Sequence, residues 1–249
     1  MKKIFASFGW MLLLLPLISV AGARTAFAIN NTATYANSRD VSGFDGISSG
    51  GSFKVHVSFG AKESLRIEAS EEAIKEIETV VENGTLNLRF KKHSGGWLSN
   101  FGRDQNFGRI DIYVTAIKLK RLSVSGSGDM DVAGTVKTDK LSTDVSGSGS
   151  LTIAVSADSY SAGISGSGQM RVTGTSQSAN IKVSGSGSFR GNDLKTNTTN
   201  VGVSGSGDVY VVVNSSLNAS VSGSGSIKYS GNATNVSTSK SGSGRVSKI

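Results

Sequence analysis

The chain has 249 residues, with 26 Lys and Arg against 18 Asp and Glu, and a formal charge of +8. It contains 32 glycines, one proline and no cysteine. The lack of thiols excludes a disulfide framework, a thiolate metal site, a cysteine nucleophile and a lipid-modified N-terminal cysteine.

Lys2 and Lys3 precede an apolar stretch over residues 8–20, broken by Gly9, Pro16 and Ser19. Ala21-Gly22-Ala23 and Ala26-Phe27-Ala28 come next, both of the small-x-small type. This order predicts a secretory signal peptide over 1–28, cleaved after Ala28 or after Ala23. The apolar run is shorter than the ~20 residues a membrane span needs, and no transmembrane segment is expected in the mature chain. Export to the periplasm or the cell surface is the consequence. The lysines are spread along the chain with one small group at Lys118, Lys120 and Arg121. A nucleic-acid patch gathers its cations on one face between aromatics, so no nucleic-acid partner is expected.

Residues 29–40 are polar and read as a flexible lead, with one domain over 41–249. Phe53, Val55 and Val57 alternate, as do Leu65 and Ile67, which predicts half-buried strands. Ser70 can cap a short helix over 71–77. Asn83-Gly84 between Val80-Val81 and Leu86 predicts a tight hairpin turn. Ile110, Ile112 and Val114 alternate again. These strands read as irregular early rungs that run into the repeats of the C-terminal half.

Between them, residues 91–108 break the rhythm, with Trp97, Phe101, Arg103 and Phe107 among glycines and polar residues. A long segment of this kind is either a ligand-contact loop or a cover for the open end of the core. The covering reading is preferred for the aromatics, since exposed ones need a reason. The four residues stand as the candidate contact set.

From Ser125 the tetrapeptide Ser-Gly-Ser-Gly occurs seven times, at spacings of 21, 19, 19, 20, 18 and 19 residues. A near-fixed period of this length marks a solenoid. Around each copy the apolar residues alternate, as in Leu122, Val124, Met130 and Val132. Both glycines of each copy then fall on the inward parity, at a corner where no side chain fits. The segments 134–140, 174–180, 191–200 and 231–235, rich in Thr, Asn, Ser and Asp, predict loops on one face. Lys240 replaces the usual inward Val or Ile, as suits a capping rung. The fold expected is all-β, a β-solenoid with about 19–20 residues per rung over 122–249.

The opening Val41-Ser42-Gly43-Phe44-Asp45-Gly46-Ile47, the turn Asn83-Gly84-Thr85-Leu86 and the serial tetrapeptides resemble the putative auto-transporter adhesin family with its head GIN domain. The resemblance covers 41–249. It implies a right-handed parallel β-helix exported to a bacterial envelope, in an adhesive, surface-binding or structural role. It supplies no catalytic residues and no cofactor. No chain follows Ile249 to build a translocator barrel, so auto-transport by this chain is not expected.

Parallel β-helices include polysaccharide-cleaving enzymes, so carboxylate pairs on the outward faces are the signal for catalysis. Glycosidic hydrolysis uses two carboxyl groups ~5–9.5 Å apart. Asp129 and Asp208 fall four rungs apart, ~19 Å at ladder spacing. Asp129 and Asp131 share a face but stand among solvated serines. His56 and His93 lack partners for a triad or a metal site. Calcium is not expected either, since the positions equivalent to Asp129 mostly hold Ser, Gln or Arg. The reading is a non-enzyme without metal or cofactor, whose partners are envelope or host glycans or surface proteins.

Overall fold

A computed structural model describes residues 34–91 and 107–249; the signal-peptide segment lies outside the described residues. The strands are β1 (Tyr35–Arg39), β2 (Gly46–Gly50), β3 (Lys54–Phe59), β4 (Ser64–Ala69), β5 (Ile77–Glu82), β6 (Thr85–Phe90), β7 (Asp111–Ala116) and β8 (Arg121–Gly126). Five long strands come after them: β9 (Asp129–Gly147), β10 (Ser150–Gly166), β11 (Gln169–Gly185), β12 (Ser188–Gly205) and β13 (Asp208–Gly223). β14 (Ser226–Ser230), β15 (Asn235–Ser241) and β16 (Arg245–Lys248) end the chain, and one helix, α1 (Glu71–Glu76), lies between β4 and β5. The fold is a parallel β-solenoid.

Two parallel ladders run its length. One takes β7, β3, the first part of β9, then β10 to β14, and β16. The other takes β6, β2, β8, the last part of β9 and its successors, and β15. The early strands are therefore the first rungs of the solenoid. They are finished by antiparallel pieces: β5 pairs with β6 through Asn83 and Gly84, both at positive φ, and β4 pairs with β7. The Ser70 hydroxyl accepts from the Ala73 amide and caps α1.

The core is one stack of like on like. Val55, Met130, Leu151, Met170, Phe189, Val209 and Ile227 form one buried column across the first ladder. Val124, Val145, Ile164, Val183, Val203 and Val221 form another across the second. That second column ends in Lys240, exposed on the all-exposed strand β15. A charged last rung blunts the open edge against pairing with another chain.

The two glycines of each tetrapeptide have different tasks, which corrects the expectation that both face inward. Gly166, exposed, bends the chain at φ +106°, a conformation disfavoured for any side chain. Gly168 is the buried one: a Cβ there would lie 2.7 Å from the Gly149 carbonyl oxygen and 2.4 Å from Val145 Cγ1. The corner is tied to the rung before it by Ser167 N–H donating to Gly147 O at 2.9 Å and Gln169 N–H donating to Gly149 O at 3.0 Å.

Three of the four expected loops are strand. Residues 134–140, 174–180 and 191–200 lie within β9, β11 and β12, with bulges in the pairing before Thr135 and around 191–194; only 231–234 leave the ladder, between β14 and β15. Their polar residues do not prevent this, because those that turn inward are bonded inside. Thr196 and Thr199 hydroxyls are 2.6 Å apart, and Thr196 also donates to Val212 O at 2.9 Å. Within the stretch expected to be a flexible lead, Tyr35–Arg39 is strand, since β1 pairs antiparallel with β4. Arg39 fixes it by donating to the carbonyls of Ile77 (2.7 Å) and Ile74 (2.9 Å).

Candidate functional site

The outward residues of the second ladder make a floor of small polar side chains. Ser146, Ser165, Ser184, Ser204, Ser222 and Ser241 stand in one row, each in register with the next. Asp144, Gly163, Lys182, Gly202, Ser220 and Ser239 make the row beside it. Both rows line an open groove of about 580 Å³ that crosses six strands from β9 to β15. The serines arise from the outward parity of the tetrapeptide. Gly163 and Gly202 keep the second row low, and the Asp144 carboxylate leans over Gly163, with Oδ1 2.5 Å from where a Cβ would stand.

Most of the groove's exposed surface is apolar, and set in it are hydroxyls that both donate and accept, one carboxylate and one amine. Asp144 and Lys182 are two rungs apart, about 10 Å at ladder spacing. A single carboxylate in the lining cannot provide the paired acid and base of glycosidic hydrolysis. Two other acids have structural tasks: Asp129 accepts from the Ser150 hydroxyl at 2.6 Å, and Asp208 accepts from the Ser226 hydroxyl.

His56 does have a partner, which the sequence did not reveal. Its Nε2 is 3.0 Å from Asp111 Oδ1, and Arg109 bonds both oxygens of the same carboxylate. Burial works to raise the Asp111 pKa, but the Arg109 and His56 hydrogen bonds outweigh it and hold the carboxyl below its usual value. His56 stacks on Tyr113 at 4.9 Å, and Arg66 lies over that ring at 4.6 Å. This is a closed network with its charges matched. Among the described residues no cluster of three or more His, Asp or Glu could hold a metal ion.

Of the candidate contact set, Trp97, Phe101 and Arg103 lie outside the described residues. Phe107 is half-buried against the core and stacks on Phe90 at 5.5 Å, which in turn packs on Phe53 at 4.8 Å. Phe107 therefore packs against the core at the N-terminal rungs.

The chain matches the family model for the putative auto-transporter adhesin, head GIN domain, over residues 43–233. It belongs to that family. A crystal structure of a putative adhesin from Bacteroides fragilis is similar, with 26% identity and a TM-score of 0.80, over 87% of this chain and 97% of that one. A putative lipid binding protein from Parabacteroides distasonis (24% identity, TM-score 0.70, 88% of this chain and 98% of that one) shares the fold. So does a putative adhesin from Parabacteroides merdae (18%, TM-score 0.69, 88% and 97%). No curated protein matches the chain at a significant level. Family and fold together support a surface, adhesin-like role for this head GIN protein. Among the described residues no helix is long and apolar enough to cross a membrane.

Proposed function

We propose that this head GIN protein is an exported, non-catalytic binding rod that holds glycans or surface proteins on its outer faces. The observation that carries the reading is the groove of about 580 Å³ whose floor is two in-register rows of small, mostly hydroxyl-bearing residues. Such a floor is regular, because each serine is spaced by the hydrogen-bonded ladder beneath it, and that spacing exists before a partner arrives, which lowers the entropic penalty of binding. Repetition adds to this, since an extended partner can engage several rungs at once. Cleavage by a signal peptidase after Ala28 or Ala23 would release the rod from the membrane.

The test is a glycan-array and whole-cell binding screen with the mature chain, run beside an assay for new reducing or unsaturated ends. Binding without new ends supports the proposal. New ends that vanish on Asp129→Asn or Asp131→Asn would replace it with an enzymatic reading, and absence of any binding would leave a structural one.

A further inference from the structure

On the first ladder one outward column runs the length of the described solenoid: Arg66, Tyr113, His56, Asp131, Thr152, then Arg171, Arg190, Tyr210, Lys228 and Ser247. Its two ends differ in charge balance. At the N-terminal end Arg66 is paired with Glu68 and His56 with Asp111. From Arg171 to Lys228 no cation of the column has an acidic partner among the described residues. The side chains of Arg171 and Arg190, both exposed, make neither ion pair nor hydrogen bond among those residues. Lys228 Nζ lies 3.5 Å from the Tyr210 hydroxyl and 5.2 Å from its ring centroid.

Acids do stand nearby. Asp208 is diagonal to Arg190 but accepts from Ser226, and Asp193 is in register with Thr173, beside the column. Neither reaches a guanidinium. Like charges directly opposite one another on neighbouring strands are destabilising. The fold does not require them here, since Thr152 and Ser247 fill the same column elsewhere. Two unpaired, exposed guanidiniums on adjacent rungs, ~4.8 Å apart at the backbone, with a third cation two rungs further on, are relieved by an anion from solution, and best by one with repeated charges.

We propose that Arg171, Arg190, Tyr210 and Lys228 form a track for an acidic polysaccharide that carries carboxylates and lies along the rod axis. This rests on the reading of the protein as a binding rod and names the ligand class. Each guanidinium presents a planar fork that meets a carboxylate bidentately. Tyr210, next in the column, holds the Lys228 amine over its ring and near its hydroxyl, and Lys228 closes the track. Four rungs span about 14 Å, comparable to a few pyranose units.

The test is binding of polygalacturonate oligomers to the mature protein by calorimetry, with fully methyl-esterified oligomers as the uncharged probe. Arg171→Thr with Arg190→Thr places in both rungs the residue already present at 152, so the strand is retained. Lys137→Thr with Lys195→Thr removes the same charge from elsewhere on the rod. The expected result is saturable binding of the acid form, weakened about tenfold or more by the arginine pair, little by the lysine pair, and reduced by salt. Failure of the wild type to bind the acid form overturns the track, while neutral glycans or cells still bound would leave the binding rod standing. Equal loss in both double variants reduces the effect to net charge and overturns it. Equal or tighter binding of a thymidine oligonucleotide, lost with the arginines, assigns the column to nucleic acid and overturns it too.

Discussion

A Cβ on Gly166 would lie 2.6 Å from the carbonyl oxygen of Gly147, one rung below. The same relationship recurs at Gly185 with Gly166 and at Gly205 with Gly185, each also at 2.6 Å. The corner is thus closed to side chains by the stacking itself. Gly166→Ala is expected to destabilise the protein by about 1–3 kcal/mol through strain at positive φ and overlap with the rung below. Gly202→Ala, whose Cβ would meet only Ser220 Oγ at 3.6 Å, should change stability by less than about 0.5 kcal/mol beyond its gain in chain stiffness. Urea melts of the two variants check the contrast; equal losses would mean the corners are not stacked as described.

Ser49 is buried between Leu88 and Val124 on the neighbouring strands, and its hydroxyl has no hydrogen-bond partner among the described residues. Leaving a buried hydroxyl unpaired is unfavourable by about 1–3 kcal/mol. Ser49→Ala is therefore expected to raise the urea midpoint, by about 1 kcal/mol in stability. A lowered midpoint would show that the hydroxyl has a partner.

Tyr160 is fully buried, and its hydroxyl is 2.7 Å from Thr143 Oγ1. Burial, eased only in part by Thr143, pushes its pKa far above the ordinary phenol value, so the group stays neutral. Tyr160→Phe should destabilise by about 1 kcal/mol, and adding Thr143→Val should recover much of that, because removing both partners of a buried bond is nearly neutral. Additive losses in the double-mutant cycle would contradict a direct bond.

Asp111 gives the network with His56 and Arg109 a pH signature. Because the folded carboxyl titrates below its unfolded value, its contribution is fully present above the unfolded pKa and is lost as pH falls through the folded one. Thermal melts should show wild type more stable than Asp111→Asn near neutrality, with the gap closing below about pH 4. A gap that stays constant down to the acid limit would mean the carboxyl is unperturbed.

Much of the architecture is legible because it is written in spacing. The tetrapeptide at Ser125, Ser146 and Ser165 sets the rung length, Asn83-Gly84 the hairpin and Ser70 the helix cap. The polar stretches read as loops because alternation of apolar residues fails there. Thr196 and Thr199 satisfy each other inside the rung, and no hydropathy pattern marks that. β1 is hidden for a similar reason, since its hold on the rod is a hydrogen-bonding arginine, Arg39, and not an apolar stripe. The cation column is within reach of the sequence: Arg171, Arg190, Tyr210 and Lys228 each lie six residues after the first serine of a tetrapeptide. Seeing it needs the rungs aligned by their corners, because their unequal lengths scatter the four residues in a linear reading. The match of His56 with Asp111, 55 positions apart in sequence, is out of reach without the β3–β7 pairing.

Like-on-like stacking of the tetrapeptides carries both the groove and the column, and distances between spin labels measure it directly. The chain has no cysteine, so cysteines placed at exposed corner serines are labelled alone. Ser146 and Ser222 are four rungs apart, which gives about 19 Å between backbones; Ser146 and Ser241 are five rungs apart, about 24 Å. Like-on-like stacking predicts two narrow distance distributions by electron spin resonance, the second longer by one rung. Broad distributions, or a separation that does not grow by one rung spacing, would contradict it.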